Sequence, residues 1–139
     1  MRITLLTTAA LLALTPAAFA ASESFTADLK PASEVPAVDS KASGMLTATY
    51  DTASKKLTYS ATYKDLTGPA TMAHFHGPAD TKTNAKVVVP VKDMTPKVLK
   101  GEATLTPEQA ADLEAGKWYF NIHTEKNKGG EIRGQVMKK

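Results

Sequence analysis

Apolar and polar residues alternate along much of this chain in short runs. The clearest are Ser24–Lys30 (SFTADLK), Gly44–Tyr50 and Lys56–Tyr63 (KLTYSATY). A period of two places alternate side chains on opposite faces of a strand, so Leu57, Tyr59, Ala61 and Tyr63 share one face. Thr71–His76, Lys86–Val91, Val98–Leu105, Trp118–His123 and Glu131–Met137 read as further strands. The last two form a pair joined through Lys126–Gly130. Turn residues punctuate the runs at Pro31, Pro36, Asp51–Ser54, Gly68-Pro69 and Gly77-Pro78. Asp80–Asn84 reads as a mobile loop. Pro90 has no N–H for a ladder, which predicts an edge strand or a bulge there.

One segment breaks the pattern. Thr106-Pro107-Glu108-Gln109 is a capping box with proline at the first helical position, and Ala110, Ala111 and Leu113 continue it. Gly116 is a suitable stop. The prediction is one helix of about ten residues among about eight short strands. Strand spacing of roughly 8–12 residues with Gly/Pro turns predicts an antiparallel, Greek-key sandwich or barrel.

The first twenty residues do not fit that domain. Arg2 is followed by an apolar run, Ile3–Leu14, and by Ala18-Phe19-Ala20, an A-x-A cleavage site. This is the pattern of a secretory signal. The expected organisation is a signal over 1–20 and one domain over 21–139, in a periplasmic or secreted protein. The run is too short to span a bilayer, and no second one follows.

Composition narrows the chemistry. The apolar fraction of 42% and the charged fraction of 22% argue against disorder. The absence of Cys excludes disulfides, thiolate metal sites and thiol catalysis. Residues 21–80 carry 5 basic and 7 acidic groups, net −2, and residues 81–139 carry 11 and 7, net +4. The basic half can attract small anions. It is too diluted by acids, and too poor in Arg, to be a nucleic-acid surface.

The chain has 3 His, all in strand-like segments. His74 and His76 stand at i and i+2, on one strand face with Cα atoms ~6.6 Å apart. Met72 shares that face and Phe75 opposes it. His123 from a second strand completes a three-nitrogen set suited to copper or zinc, and Met adds a soft donor that favours Cu(I). The plainer reading is three unrelated surface or hydrogen-bonded imidazoles. Arg133, the one Arg outside the 1–20 segment, shares a face with Glu131 and Gln135. It is either half of an exposed ion pair or an anion guide beside a metal, with Glu131 or Asn121 orienting an imidazole. Trp118, Tyr119 and Phe120 read as packing. No nucleophile elbow, phosphate-binding Gly loop or H-E-x-x-H helix is present.

Several blocks together resemble the CHRD (chordin-type) domain family. They are Phe25–Leu29 with Glu34-Val35-Pro36, then Ala73-His74-Phe75-His76-Gly77-Pro78-Ala79, then Leu105-Thr106, then Ala115-Gly116 with Tyr119, Asn121-Ile122-His123-Thr124 and Gly130-Glu131-Ile132-Arg133-Gly134-Gln135. The resemblance covers residues 24–137. It implies an antiparallel β-sandwich or barrel of immunoglobulin-like appearance. In animal chordin such domains belong to an extracellular growth-factor antagonist, and stand-alone bacterial members are secreted. The family's His blocks fall on His74, His76 and His123, and its arginine on Arg133. The set also resembles, as a site, the copper centre of copper-containing superoxide dismutases. With three His and no Cys, it lacks a four-His copper site, a His-bridged zinc and the disulfide.

Two classes of function follow as expectations. One is a copper protein with His74, His76 and His123 as ligands, dismutating superoxide with Arg133 drawing in the anion. The other is a non-catalytic module that binds a protein partner, or a copper buffer.

Overall fold

The computed structural model describes residues 21–139. The signal reading of residues 1–20 lies outside the described residues. Eight strands and one helix follow in order: β1 (Ser22–Leu29), β2 (Ser43–Asp51), β3 (Lys56–Lys64), β4 (Ala70–His76), β5 (Val87–Pro90), β6 (Leu99–Thr104), α1 (Pro107–Glu114), β7 (Trp118–Thr124) and β8 (Ile132–Lys138). Every named pairing is antiparallel, in the order β5-β4-β7-β8-β1-β2-β3-β6. The sheet curls into a nearly closed barrel whose seam lies between β5 and β6. Reading across the seam, β3-β6-β5-β4 is a Greek key, because β3 leads to β4 at the far side of the seam.

Alternation produces the core. Phe25, Ala27 and Leu29 from β1, Leu46 and Ala48 from β2, and Leu57, Tyr59 and Ala61 from β3 are buried together. Phe75 on β4 meets Phe120 at 4.8 Å, Trp118 at 5.8 Å and, across the barrel, Tyr59 at 5.0 Å between ring centres. Such edge-on aromatic contacts favour close packing. The contact between β4 and β3 shows how far the sheet has curled, since these strands lie near opposite ends of the strand order.

Local signals act where the sequence places them. Thr106 Oγ1 accepts from Gln109 N at 3.2 Å, and Gln109 Oε1 accepts from Thr106 N at 3.0 Å, completing the capping box. The helix is eight residues long, shorter than predicted, and ends as Gly116 takes the left-handed φ of +69°. Asp51 Oδ1 accepts from Ser54 N at 2.7 Å and shapes the β2–β3 turn. Pro90 lies on the edge strand β5, as its missing N–H requires.

Candidate metal centre

Strand register builds the site. β4, β7 and β8 are neighbours, and residues directly opposite across an antiparallel pair share a face. Their outward face carries three rungs. Met72 stands opposite His123. His74 stands opposite Asn121, and Asn121 opposite Arg133. His76 stands opposite Tyr119, and Tyr119 opposite Gln135. The inward face of the same strands carries Phe75, Phe120 and Ile122. The histidines thus lie outside the barrel core, yet His76 and His123 are buried and His74 is half-buried. Every residue of β7 is buried, because loops cover its outer face.

The three imidazoles converge. One nitrogen from each lies within 4.8 Å of the others. His74 Nδ1 is 3.1 Å from His123 Nε2. Nitrogens sharing one ion at ~2.0 Å stand about 3–4 Å apart, a spacing the His74–His123 pair already has and the third imidazole reaches with a small shift. The outer nitrogens are already committed: His76 Nδ1 donates to Ala85 O at 2.9 Å and His123 Nδ1 donates to Lys128 O at 2.8 Å. A carbonyl oxygen only accepts, so these bonds fix the Nδ1–H tautomer and leave Nε2 with its lone pair. Asn121 Oδ1 sits 3.1 Å from His76 Nε2 and 3.0 Å from His123 Nε2. Three acceptors therefore face one another, an arrangement a cation relieves. The residues present fit a metal ion bound through nitrogen.

Electrostatics keeps the rings neutral. Burial, then the neighbouring His123 and His76, lower His74 to about 4. Burial is also the main cause that lowers His76 and His123. Neutral imidazole is the ligating form at neutral pH.

Arg133 is not half of an exposed ion pair. It is 1% exposed and has no ion pair among the described residues. Its nitrogens donate to Asn84 Oδ1 at 2.9 Å, Asp80 O at 3.0 Å and Thr83 O at 2.7 Å. The guanidinium lies 3.5 Å from the centre of the Tyr119 ring, and Tyr119 stacks on His76 at 4.7 Å. Arg133 thus pins the 80–84 loop, which the sequence reading took as mobile, over the site. Its charge reaches His76, where it disfavours protonation.

Glu131 corrects a second expectation. It is fully buried, and it does not bond to an imidazole. It accepts from Ser40 Oγ at 2.7 Å, Thr67 N at 2.9 Å, Thr67 Oγ1 at 2.7 Å and Thr124 Oγ1 at 2.7 Å. Burial raises its pKa, but these donors outweigh burial and hold the carboxyl at about 2. Asn121 is the neighbour that faces the imidazoles. Met72 is 46% exposed on the rim.

Sequence reasoning missed two residues. Tyr119 was read as packing, yet it joins Arg133 to His76. Glu34 is buried beside Asn121 and Gly130, nearly ninety residues away in sequence. The alternation in WYFNIHT could have separated Tyr119 from Trp118 and Phe120, but nothing local marks Glu34.

Fold and site together define a loop-covered polar cluster on the outer face of an antiparallel β-barrel. The family model for the CHRD domain matches residues 25–136, and the chain belongs to that family. No curated protein and no solved structure matched it.

Proposed function

We propose that this protein is an exported copper-binding CHRD protein whose ion is held by His74, His76 and His123, and that its chemistry is superoxide dismutation. The observation that carries the reading is the convergence of three neutral imidazole nitrogens within 4.8 Å, two with their tautomer fixed by backbone carbonyls. Three nitrogen donors suit copper. Copper, when bound, would supply one-electron redox chemistry between Cu(II) and Cu(I).

The chain's own residues supply the rest. Ala85 O and Lys128 O orient two rings, which limits reorganisation of the ligand set. The covering loops exclude water from the His76 and His123 side, while half-buried His74 and rim Met72 leave an approach. Arg133 contributes positive charge near the cluster without being a ligand, which favours an incoming small anion. The net +4 of residues 81–139 adds a longer-range field of the same sign. Export, to the periplasm or beyond the cell, rests on the signal pattern in residues 1–20.

Stopped-flow decay of superoxide on copper-loaded protein, with free copper removed by a chelator, tests the chemistry. A rate above that of the metal-free protein, falling as salt rises, is expected, because exposed charges are screened over ~8 Å at physiological ionic strength. Arg133→Ala should slow the reaction and flatten its salt dependence. A rate equal to that of the metal-free protein would overturn dismutation and leave copper storage or partner binding. Intact mass of exported protein tests processing: a chain beginning at Ala21 is expected, and one retaining residues 1–20 contradicts it.

A further inference from the structure

Glu34 is a buried carboxyl for which the three-histidine reading has no use. It follows the short turn Pro31–Ser33 and is 6% exposed. Its Oε1 has no hydrogen-bond partner among the described residues. Buried carboxyl oxygens are normally paired, so an orphan of this kind calls for a reason.

Gly130 shows where the carboxyl is aimed. A Cβ on Gly130 would collide with Glu34 Oε1 and stand 2.6 Å from Asn121 Nδ2. Glycine alone lets the carboxyl and the amide approach each other here, and its φ of +125° suits no other residue. Glu34 is therefore at one end of the Asn121 side chain, and the imidazoles of His76 and His123 are at the other. The charged group felt at Glu34 is Arg133. Burial raises the carboxyl, Arg133 and the Asn121 amide offset part of that, and it stands at about 7, so above pH 7 it is mostly the acceptor-only carboxylate.

The amide faces a choice. With Oδ1 toward the rings, it adds a third acceptor beside two Nε2 atoms at 3.1 and 3.0 Å, a set that a cation would relieve. Turned over, Nδ2 would donate its hydrogens to both lone pairs and close the site to a metal. The two settings have nearly the same shape, so their hydrogen-bond partners decide between them. The first setting sends Nδ2 toward Glu34, where it needs an acceptor. The second sends Oδ1 there, where it needs a donor. Gly129 O, 3.5 Å from Nδ2, can only accept and so favours the first.

We propose that Glu34 is a positioning residue whose carboxylate holds the Asn121 amide with its oxygen toward His76 and His123, keeping their Nε2 lone pairs free for a metal ion. The proposal deepens the three-histidine reading and rests on it for the metal, but it also makes a claim about the metal-free protein.

Glu34→Gln tests both. Glutamine keeps the shape but can donate or accept, so it no longer selects one setting. In the metal-free protein, the imidazole ¹⁵N resonances of His76 and His123 should move as Asn121 hydrogens reach the lone pairs. In competition titrations with a chelator, Cu²⁺ and Zn²⁺ should each bind about tenfold more weakly, the usual effect of losing such a supporting group. In an Asn121→Ala background the same substitution should change neither affinity, which separates positioning from a merely structural role. Thermal melts check that each variant folds. If Glu34→Gln does not fold, Glu34→Asp, which keeps the charge and withdraws it by one methylene, carries the same readouts. Unmoved imidazole resonances, or an equal loss of affinity with and without Asn121, would overturn the proposal. A wild type that binds neither metal, with the resonances still moved by Glu34→Gln, would refute the metal reading and leave Glu34 as the residue that sets the amide.

Discussion

The two halves of the barrel use the same alternation for different ends. In β2 and β3 the inward residues, such as Leu46 and Leu57, are fully buried, and outward Met45, Thr47, Lys56 and Thr58 are exposed. That is an ordinary half-wet antiparallel sheet. In β7 and β8 the outward residues Asn121, His123, Tyr119 and Arg133 are polar as well, yet they are buried. Burying polar groups costs free energy unless each finds a partner. The site half meets that cost with loop carbonyls: Ala85, Lys128, Asp80 and Thr83 all accept from it. The framework half holds the fold by apolar contact, and the site half holds three nitrogens in place by hydrogen bonds. A polar residue at an outward position therefore means solvent in one half and chemistry in the other.

Substitutions can separate these halves. The largest effect on stability should come from Leu57→Ala, which opens the apolar core. A loss of about 2–5 kcal/mol in denaturant unfolding is expected, with copper stoichiometry unchanged in the fraction that folds. His123→Ala should do the reverse. Copper affinity should fall at least about a hundredfold, equivalent to ~2.7 kcal/mol, while the melting temperature changes little. Copper binding lost with Leu57→Ala in folded protein, or kept with His123→Ala, would dissolve the distinction.

Glu131→Gln should follow in size. A carboxyl held at about 2, against 4.5 when unperturbed, is worth on the order of 3 kcal/mol. Because its folded pKa is depressed, that stability is present above pH 4.5 and disappears as pH falls toward 2. Melts across that window should show a steeper slope in the wild type than in Glu131→Gln, whose remaining slope comes from Asp51, Asp80 and Asp93, also held below the usual carboxylate range by hydrogen bonds. A parallel pair of curves would mean the donors from Ser40, Thr67 and Thr124 do not stabilise the ionised form. The smallest effect belongs to the framework surface. Lys56→Ala removes an exposed 3.2 Å pair with Glu102 and should leave stability within measurement error. A clear loss there would show that the outer face of β3 contributes more than its exposure suggests.

How much of this was legible in the sequence follows from the same contrast. Strands, edge proline and capping box are local signals, and the residues that carry them are neighbours in the chain. The pairing of His74 with His76 is likewise local, set by the period of two. The choice of His123 needed only that it be the third imidazole, but its place opposite Met72 depends on register between β4 and β7. The burial of Arg133 and Glu131 was not legible. It depends on Asp80–Asn84, Ser40 and Thr67 folding over β8 from positions 49 to 91 residues away. Glu34 stood in a family-like block, but its place beside the site was not legible for the same reason. Its neighbours Asn121 and Gly130 reach it only once β8 lies beside β1.

The central claim is that three imidazoles hold one copper ion on this face. Copper titration of the wild type and of a His74→Ala/His76→Ala/His123→Ala variant, read by electron paramagnetic resonance, tests it most directly. The wild type should bind one Cu(II) per chain with a nitrogen-ligated spectrum, and the triple variant, still folded, should lose both. Equal copper binding by the two proteins would contradict the account.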